Sequence, residues 1–312
     1  MEEKRQFACI NGVIFPRERS SLSIENAGLQ YGYGLFETLR TYRGVFFAWE
    51  KHYQRLEKGC RMLHMKIPFS SAEGLEMLSD LHRHFQQEGY REDGVYRLTI
   101  TPEMIRNWQI SDSSTSIITR REIPDGLEQM QQSGIDTALL ETKRLPSITV
   151  ERTKSIHFTD MIFGRLEMNR YGANILEGLM LDDDGKIVEA TCSNLFALFI
   201  DKKKGMTLVT PPKEDGPLLG ITREIVIMLA ERLQLTVEER SLRPEMLTNA
   251  KELFLTNSVQ ELVPIKRLFS KGQLLYHNTQ QDYMIANRLL ASYKQYVYDS
   301  AYEPQNSERK QL

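Results

Sequence analysis

The chain has 312 residues, enough for about two domains and a sizeable core. Its 40 Lys and Arg against 42 Asp and Glu give a formal net charge of −2, which leaves no global field for a polyanion and excludes nucleic acid as the main partner. A hydrophobic fraction of 41% with 26% charged residues is ordinary globular composition and argues against disorder.

From the start, Phe7 to Phe15 alternates around Asn11-Gly12, the strongest short hairpin signal. Leu39–Arg43, Gly44 and Val45–Trp49 read as a second hairpin. Tyr53, Leu56, Cys60 and Leu63 carry a helical period through Glu50–Met62. Ser70 with Glu73 three places on reads as a capping box, opening a helix over Ala72–Glu88. Gly94–Thr101 reads as a strand. The polar, weakly patterned stretch Gln109–Ser116, with Arg120–Gly126, marks the domain connection. A second block then alternates strands (Asp136–Glu141, Gly178–Leu181, Ile187–Glu189, Leu195–Ile200, Glu252–Leu255) with helices (Phe158–Gly172, Ile221–Leu233, Tyr283–Tyr298). The expected division is a small N-terminal domain over 1–120, a connection over 121–129, a larger domain over 130–300 and a polar tail over 301–312.

Several exclusions follow from the same reading. Residues 1–15 carry no signal-like apolar run, and no window reaches the roughly 18 apolar residues of a spanning helix. Cys9, Cys60 and Cys192 are odd in number and far apart, offering neither a disulfide framework nor metal spacing, and a reducing compartment suits them. His64, His82 and His84 show no ligand pattern. The expectation is a cytoplasmic protein with no membrane partner and no metal. The acidic turn Asp182–Asp184 and the basic run Lys202–Lys204 read as solvated surface.

Five local features have chemical potential. Gly220-Ile221-Thr222-Arg223 follows a Pro- and Gly-containing loop and starts a helix, so free N–H groups and the positive dipole end aim at one spot, a phosphate cradle in physical terms. Thr256, in Leu255-Thr256-Asn257-Ser258, is a hydroxyl at a strand end. His52 and Arg55 share a helix face. Lys154 precedes an apolar helix. Glu189 is a carboxylate flanked by apolar residues in a strand, where it faces solvent or meets a buried cation.

In order along the chain these segments resemble the class IV (fold type IV) pyridoxal-phosphate enzymes, which are the branched-chain and D-amino acid aminotransferases and 4-amino-4-deoxychorismate lyase. The pieces are Tyr31-Gly32-Tyr33-Gly34-Leu35-Phe36-Glu37-Thr38-Leu39-Arg40, His52-x-x-Arg55-Leu56, Lys154-Ser155-Ile156, Glu189-Ala190-Thr191-x-Ser193-Asn194-Leu195-Phe196, Leu219-Gly220-Ile221-Thr222-Arg223 and Leu255-Thr256-Asn257-Ser258. The resemblance implies a two-domain α/β (α+β) fold with pyridoxal 5'-phosphate between the domains, and homodimers in which the neighbouring chain closes the substrate pocket.

By resemblance Lys154 is the catalytic lysine, holding the cofactor as a Schiff base and then serving as general base, which calls for an amine of depressed pKa. Glu189 matches the carboxylate opposite the pyridine nitrogen, its charge met by the pyridinium. The phosphate falls to Arg55, the Ile221 and Thr222 amides, the Thr222 hydroxyl and Thr256. Tyr31, Thr38, Arg97 and Arg106 are candidates for the substrate. The Arg-Gly loop the family often has after the strand ending near Thr101 is absent, since Thr101–Trp108 contains no such pair, and His157 stands where the family often has Asn. The first functional expectation is an aminotransferase acting on an amino acid, branched-chain-like or D, and a 2-oxo acid. The second, favoured by Thr38, is 4-amino-4-deoxychorismate lyase, acting on aminodeoxychorismate in folate synthesis. A cofactor-binding protein without turnover is a third.

Overall fold

The computed structural model describes residues 5–302 apart from 148, 150, 173, 202–204 and 281. The Lys202–Lys204 run and the tail from 303 onward therefore lie outside the described residues. Over these residues the chain divides into two units, one taking in residues 5–124, 153–157 and 300–302, the other residues 125–152 and 158–299. The change falls at Pro124, and the stretch expected as one domain over 130–300 is interrupted by Thr153–His157, which groups with the first unit.

The first unit contains β1 (Phe7–Ile10), β2 (Val13–Pro16), α1 (Ala27–Tyr31), β3 (Leu35–Tyr42), β4 (Val45–Phe46), α2 (Trp49–Met62), α3 (Ser71–Gln87), β5 (Val95–Pro102), β6 (Ile105–Arg106), β7 (Gln109–Ile110) and β8 (Ser114–Arg121). Six strands form an antiparallel sheet in the order β2-β1-β8-β5-β3-β4. Asn11 and Gly12 both have positive φ (50° and 83°), as a two-residue hairpin whose twist matches its strands requires. The Ser70 capping box is complete in both directions. Strand residues Phe7, Cys9, Leu35, Leu39, Tyr96, Leu98 and Ile118 make one core with Trp49, Leu56 and Cys60 of α2 and Leu78, Leu81 and Phe85 of α3.

One expectation is corrected here. Ser114–Ser116 and Arg120–Arg121, expected in the connection, belong to β8, which lies between β1 and β5 in the sheet. The last three residues of the polar stretch, Ser114, Thr115 and Ser116, are small polar residues buried in the sheet at 2–7% exposure, and the β-branched run Ile117-Ile118-Thr119 carries the strand on.

The second unit contains α4 (Leu127–Ser133), β9 (Ile135–Lys143), α5 (Thr159–Met168), β10 (Ile175–Leu181), β11 (Ile187–Ala190), β12 (Asn194–Asp201), β13 (Gly205–Thr210), α6 (Ile221–Arg232), β14 (Thr236–Glu239), α7 (Pro244–Leu247), β15 (Glu252–Asn257), β16 (Glu261–Ser270), β17 (Gln273–His277) and most of α8 (Met284–Tyr302). Its mixed sheet runs β11-β10-β9-β16-β15-β12-β13-β14, with β17 on β16. The pairs β9–β10, β9–β16 and β13–β14 are parallel. The centres of the inner strands, Leu253–Leu255 in β15 and Leu195–Leu198 in β12, are continuous apolar runs buried on both sheet faces. Among the described residues no helix is long and apolar enough to cross a membrane.

Candidate active site

Lys154 is fixed by backbone pairing within the first unit. The Phe36 N–H donates to the Lys154 carbonyl at 2.9 Å, the Ile156 N–H donates to the Gly34 carbonyl at 3.0 Å, and Leu35 and Ser155 form an antiparallel bridge. The segment thus extends the start of β3 by a short strand edge. The Lys154 Nζ lies 4.6 Å from the centroid of the Phe36 ring, and the Arg97 guanidinium carbon lies 3.6 Å from the same centroid. Thr38 stands directly across from Arg97 in the β3–β5 register, and Arg97 Nε donates to Thr99 Oγ1 at 3.3 Å. The four substrate candidates therefore separate. Thr38 and Arg97 share one sheet face with Phe36, whereas Tyr31 ends α1 in an exposed position. Arg106, on the short β6, makes an exposed pair with Glu25 at 3.1 Å, a contact worth little in water.

Behind that face is a network only half legible in the sequence. Alternation along β3 turns Leu35, Glu37 and Leu39 inward, and Glu37 is 1% exposed. Arg55 Nε donates to Glu37 Oε1 at 2.8 Å and Nη2 to Oε2 at 2.6 Å, while His52 Nδ1 reaches Oε2 at 2.7 Å. Burial alone would raise the Glu37 carboxyl, but Arg55 and His52 outweigh it and bring the carboxyl down to about 2. Burial pushes the His52 imidazole below its ordinary value despite Glu37, so the ring is neutral near pH 7. A carboxylate only accepts, so the Nδ1 carries the hydrogen.

In the second unit Glu189 is 4% exposed on β11. The sequence left its charge to a cofactor, but two donors of the chain reach it first: Arg144 Nε at 2.8 Å from Oε1 and the Leu218 N–H at 3.0 Å from Oε2. Arg144 also pairs with buried Asp160, so the bonded group holds two carboxylates and one guanidinium. Nearby Arg152 donates to the carbonyls of Gly216 and Leu145. The motif hydroxyls after Glu189 serve a neighbour. Buried Glu177 accepts from Thr191 Oγ1, from Ser193 Oγ at 3.1 Å and from the Cys192 N–H at 3.3 Å, which fixes the bend between β11 and β12.

The α6 N-terminus is bare of side-chain caps: Gly220 occupies the cap with no side-chain hydrogen bond, and the first turn's amides have no intrahelical acceptor. A Cβ at Gly220 would stand 2.2 Å from Asn194 Oδ1, so the backbone approaches as only glycine permits. Asn194 Nδ2 also donates to the Leu218 carbonyl at 2.8 Å, and Asn194 pairs directly with Thr256 across β12 and β15. The Thr256 Oγ1 is buried and has no hydrogen-bond partner among the described residues. A buried hydroxyl without an acceptor, in register with the residue that fastens an uncapped helix start, fits a phosphate group. Among the described residues no three His, Cys, Asp or Glu converge as metal ligands.

Sequence reasoning missed Glu37, Arg144, Asp160 and Glu177. Glu37 carried a usable signal, an acid at an inward position of an alternating strand. Arg144, one of 40 basic residues, carried none.

Residues 34–268 match the family model described as amino-transferase class IV. The chain is 27% identical over 256 residues to D-alanine aminotransferase of Bacillus licheniformis, covering 82% of this chain and 86% of that protein. It is 28% identical over 263 residues to aminodeoxychorismate lyase of Bacillus subtilis, covering 83% and 85%. Its fold is similar to the crystal structure of the branched-chain amino acid aminotransferase from Thermobaculum terrenum in its PLP form, with a TM-score of 0.79, 25% identity and 98% of each chain covered.

Proposed function

The chain belongs to the class IV aminotransferase family, and on that premise we propose that it is a pyridoxal 5'-phosphate-dependent aminotransferase moving an amino group between an amino acid and a 2-oxo acid. The observation that carries the reading is the partnerless Thr256 hydroxyl in register with the residue that fastens the α6 N-terminus. When bound, pyridoxal phosphate supplies an electron-accepting ring that lets the substrate α-carbon release a proton. Lys154 would hold the cofactor through its ε-amine, and the same amine, when free, would take the substrate α-proton and return it. Glu189 keeps two of its roughly four acceptor sites beyond those used by Arg144 and Leu218, which suits a protonated ring nitrogen. The Ile221 and Thr222 amides, the Thr222 and Thr256 hydroxyls and Arg55 take the phosphate. Arg97 with Thr38 is the best-placed pair for a substrate carboxylate. The reading extends to a cytoplasmic homodimer on the family resemblance, with light scattering of the purified chain as the check.

A second reading, aminodeoxychorismate lyase, is favoured by Thr38, whose hydroxyl-bearing position faces Arg97 across the strand pair. The experiment is the visible spectrum of the purified protein before and after L-glutamate, L-valine or D-alanine. Loss of the yellow band to one donor, with release of its 2-oxo acid, supports the aminotransferase and gives its handedness. A band that no donor discharges, with pyruvate released from aminodeoxychorismate, replaces it with the lyase. No band after adding pyridoxal phosphate refutes both.

A further inference from the structure

We infer that Glu37 and His52 are positioning residues that hold the Arg55 guanidinium in one plane, with its outer edge presented to the cofactor phosphate. The inference rests on the reading that Arg55 contacts that phosphate. An arginine has several rotatable bonds, and a flexible guanidinium loses entropy each time it is ordered by an anion. Here the ordering is built in. Arg55 meets Glu37 side-on through Nε and Nη2, so its Nη1 edge points away from the carboxylate. Glu37 cannot drift, because β3 fixes its backbone and His52 braces its second oxygen at 2.7 Å. Both braces come from one helix, α2, three residues apart on one face, so the carboxylate and guanidinium are registered to each other by helix geometry. A neutral His52 adds a donor without adding a charge that would compete for Glu37. The cost of a buried carboxylate is accepted in this core for direction: Glu37 already balances the charge of Arg55, so what Arg55 adds at the phosphate is geometry more than net charge.

The test uses the full chain freed of cofactor and two probes, pyridoxal phosphate and pyridoxal, which lacks the phosphate. The Glu37→Gln variant is expected to bind pyridoxal phosphate roughly 10- to 100-fold more weakly with pyridoxal unchanged, because one charge-assisted contact is misaligned. Arg55→Lys is expected to weaken pyridoxal phosphate at least as much, and the double variant no more than Arg55→Lys alone. Should Glu37→Gln fail to fold, Glu37→Asp, which withdraws the carboxylate by one methylene, is expected to give the same selective loss. Equal weakening of both probes makes Glu37 merely structural and overturns the inference. So does an unchanged Glu37→Gln beside a weakened Arg55→Lys, which leaves the phosphate reading standing. If Arg55→Lys itself leaves pyridoxal phosphate binding unchanged, the phosphate reading falls and the inference with it.

Discussion

The two units each bury a glutamate against an arginine, and they do so in opposite ways. Glu37 receives three bonds, all from α2, at separations of 15 and 18 residues along the chain. Glu189 receives two, from Arg144 at a separation of 45 and from the Leu218 amide at 29, and it shares Arg144 with Asp160. The first group is local, balanced and closed. The second is assembled from distant segments, holds one more acid than base among its bonded members, and keeps acceptor sites open. A closed pair braces other groups, whereas an open one has capacity for an incoming cation.

The largest expected effect comes from testing that openness. Glu189→Gln keeps the shape and removes the charge, so turnover is expected to fall by about 100- to 1000-fold while the fold persists. Steady-state rates beside thermal unfolding check this, and an unchanged rate would erase the distinction between the two glutamates. Arg144→Met is expected to leave the buried Glu189 and Asp160 without their bonded counter-charge and to lower stability by about 3–5 kcal/mol. Denaturant unfolding reads that loss.

The closed group makes its own forecast in acid. The Glu37 carboxyl sits near 2 in the fold against an ordinary 4.5, so its contribution, on the order of 3 kcal/mol, is complete above 4.5 and is lost as pH falls toward 2. His52 is pushed below its ordinary 6.5, so the unfolded chain gains the proton first and stability falls once pH drops under 6.5. Thermal midpoints between pH 7 and pH 4 are therefore expected to decline in the wild type and to decline less in His52→Gln. Parallel profiles would count against a neutral buried imidazole. The smallest effect belongs to Thr256→Val, expected to leave the cofactor-free protein as stable as the wild type, since Oγ1 has no partner to lose, while weakening pyridoxal phosphate about tenfold. Calorimetry and titration separate the two readouts.

The same contrast explains what the sequence could disclose. The shared face of His52 and Arg55, the Ser70 capping box and the Asn11-Gly12 turn are local patterns, and the structure has each of them. The Gly220–Arg223 helix start was legible for the same reason, because capping chemistry is written within four residues. Strand β8 was hidden because buried Ser114, Thr115 and Ser116 look like a loop in a composition window. Arg144, Asp160 and Glu177 were hidden because their roles depend on which strands lie side by side, which no local period records. The role expected of Lys154 came from the resemblance, not from its position. Its pinning to β3 through Phe36 and Gly34 is long-range, and it places a segment from beyond residue 150 with the first unit.

The most direct test of the account is therefore chemical trapping at that segment. The purified protein, loaded with pyridoxal phosphate and reduced with borohydride, is digested and its labelled peptide identified by mass. The account expects the cofactor fixed to Lys154 and nowhere else. A label on another lysine, or no label after loading, would contradict it.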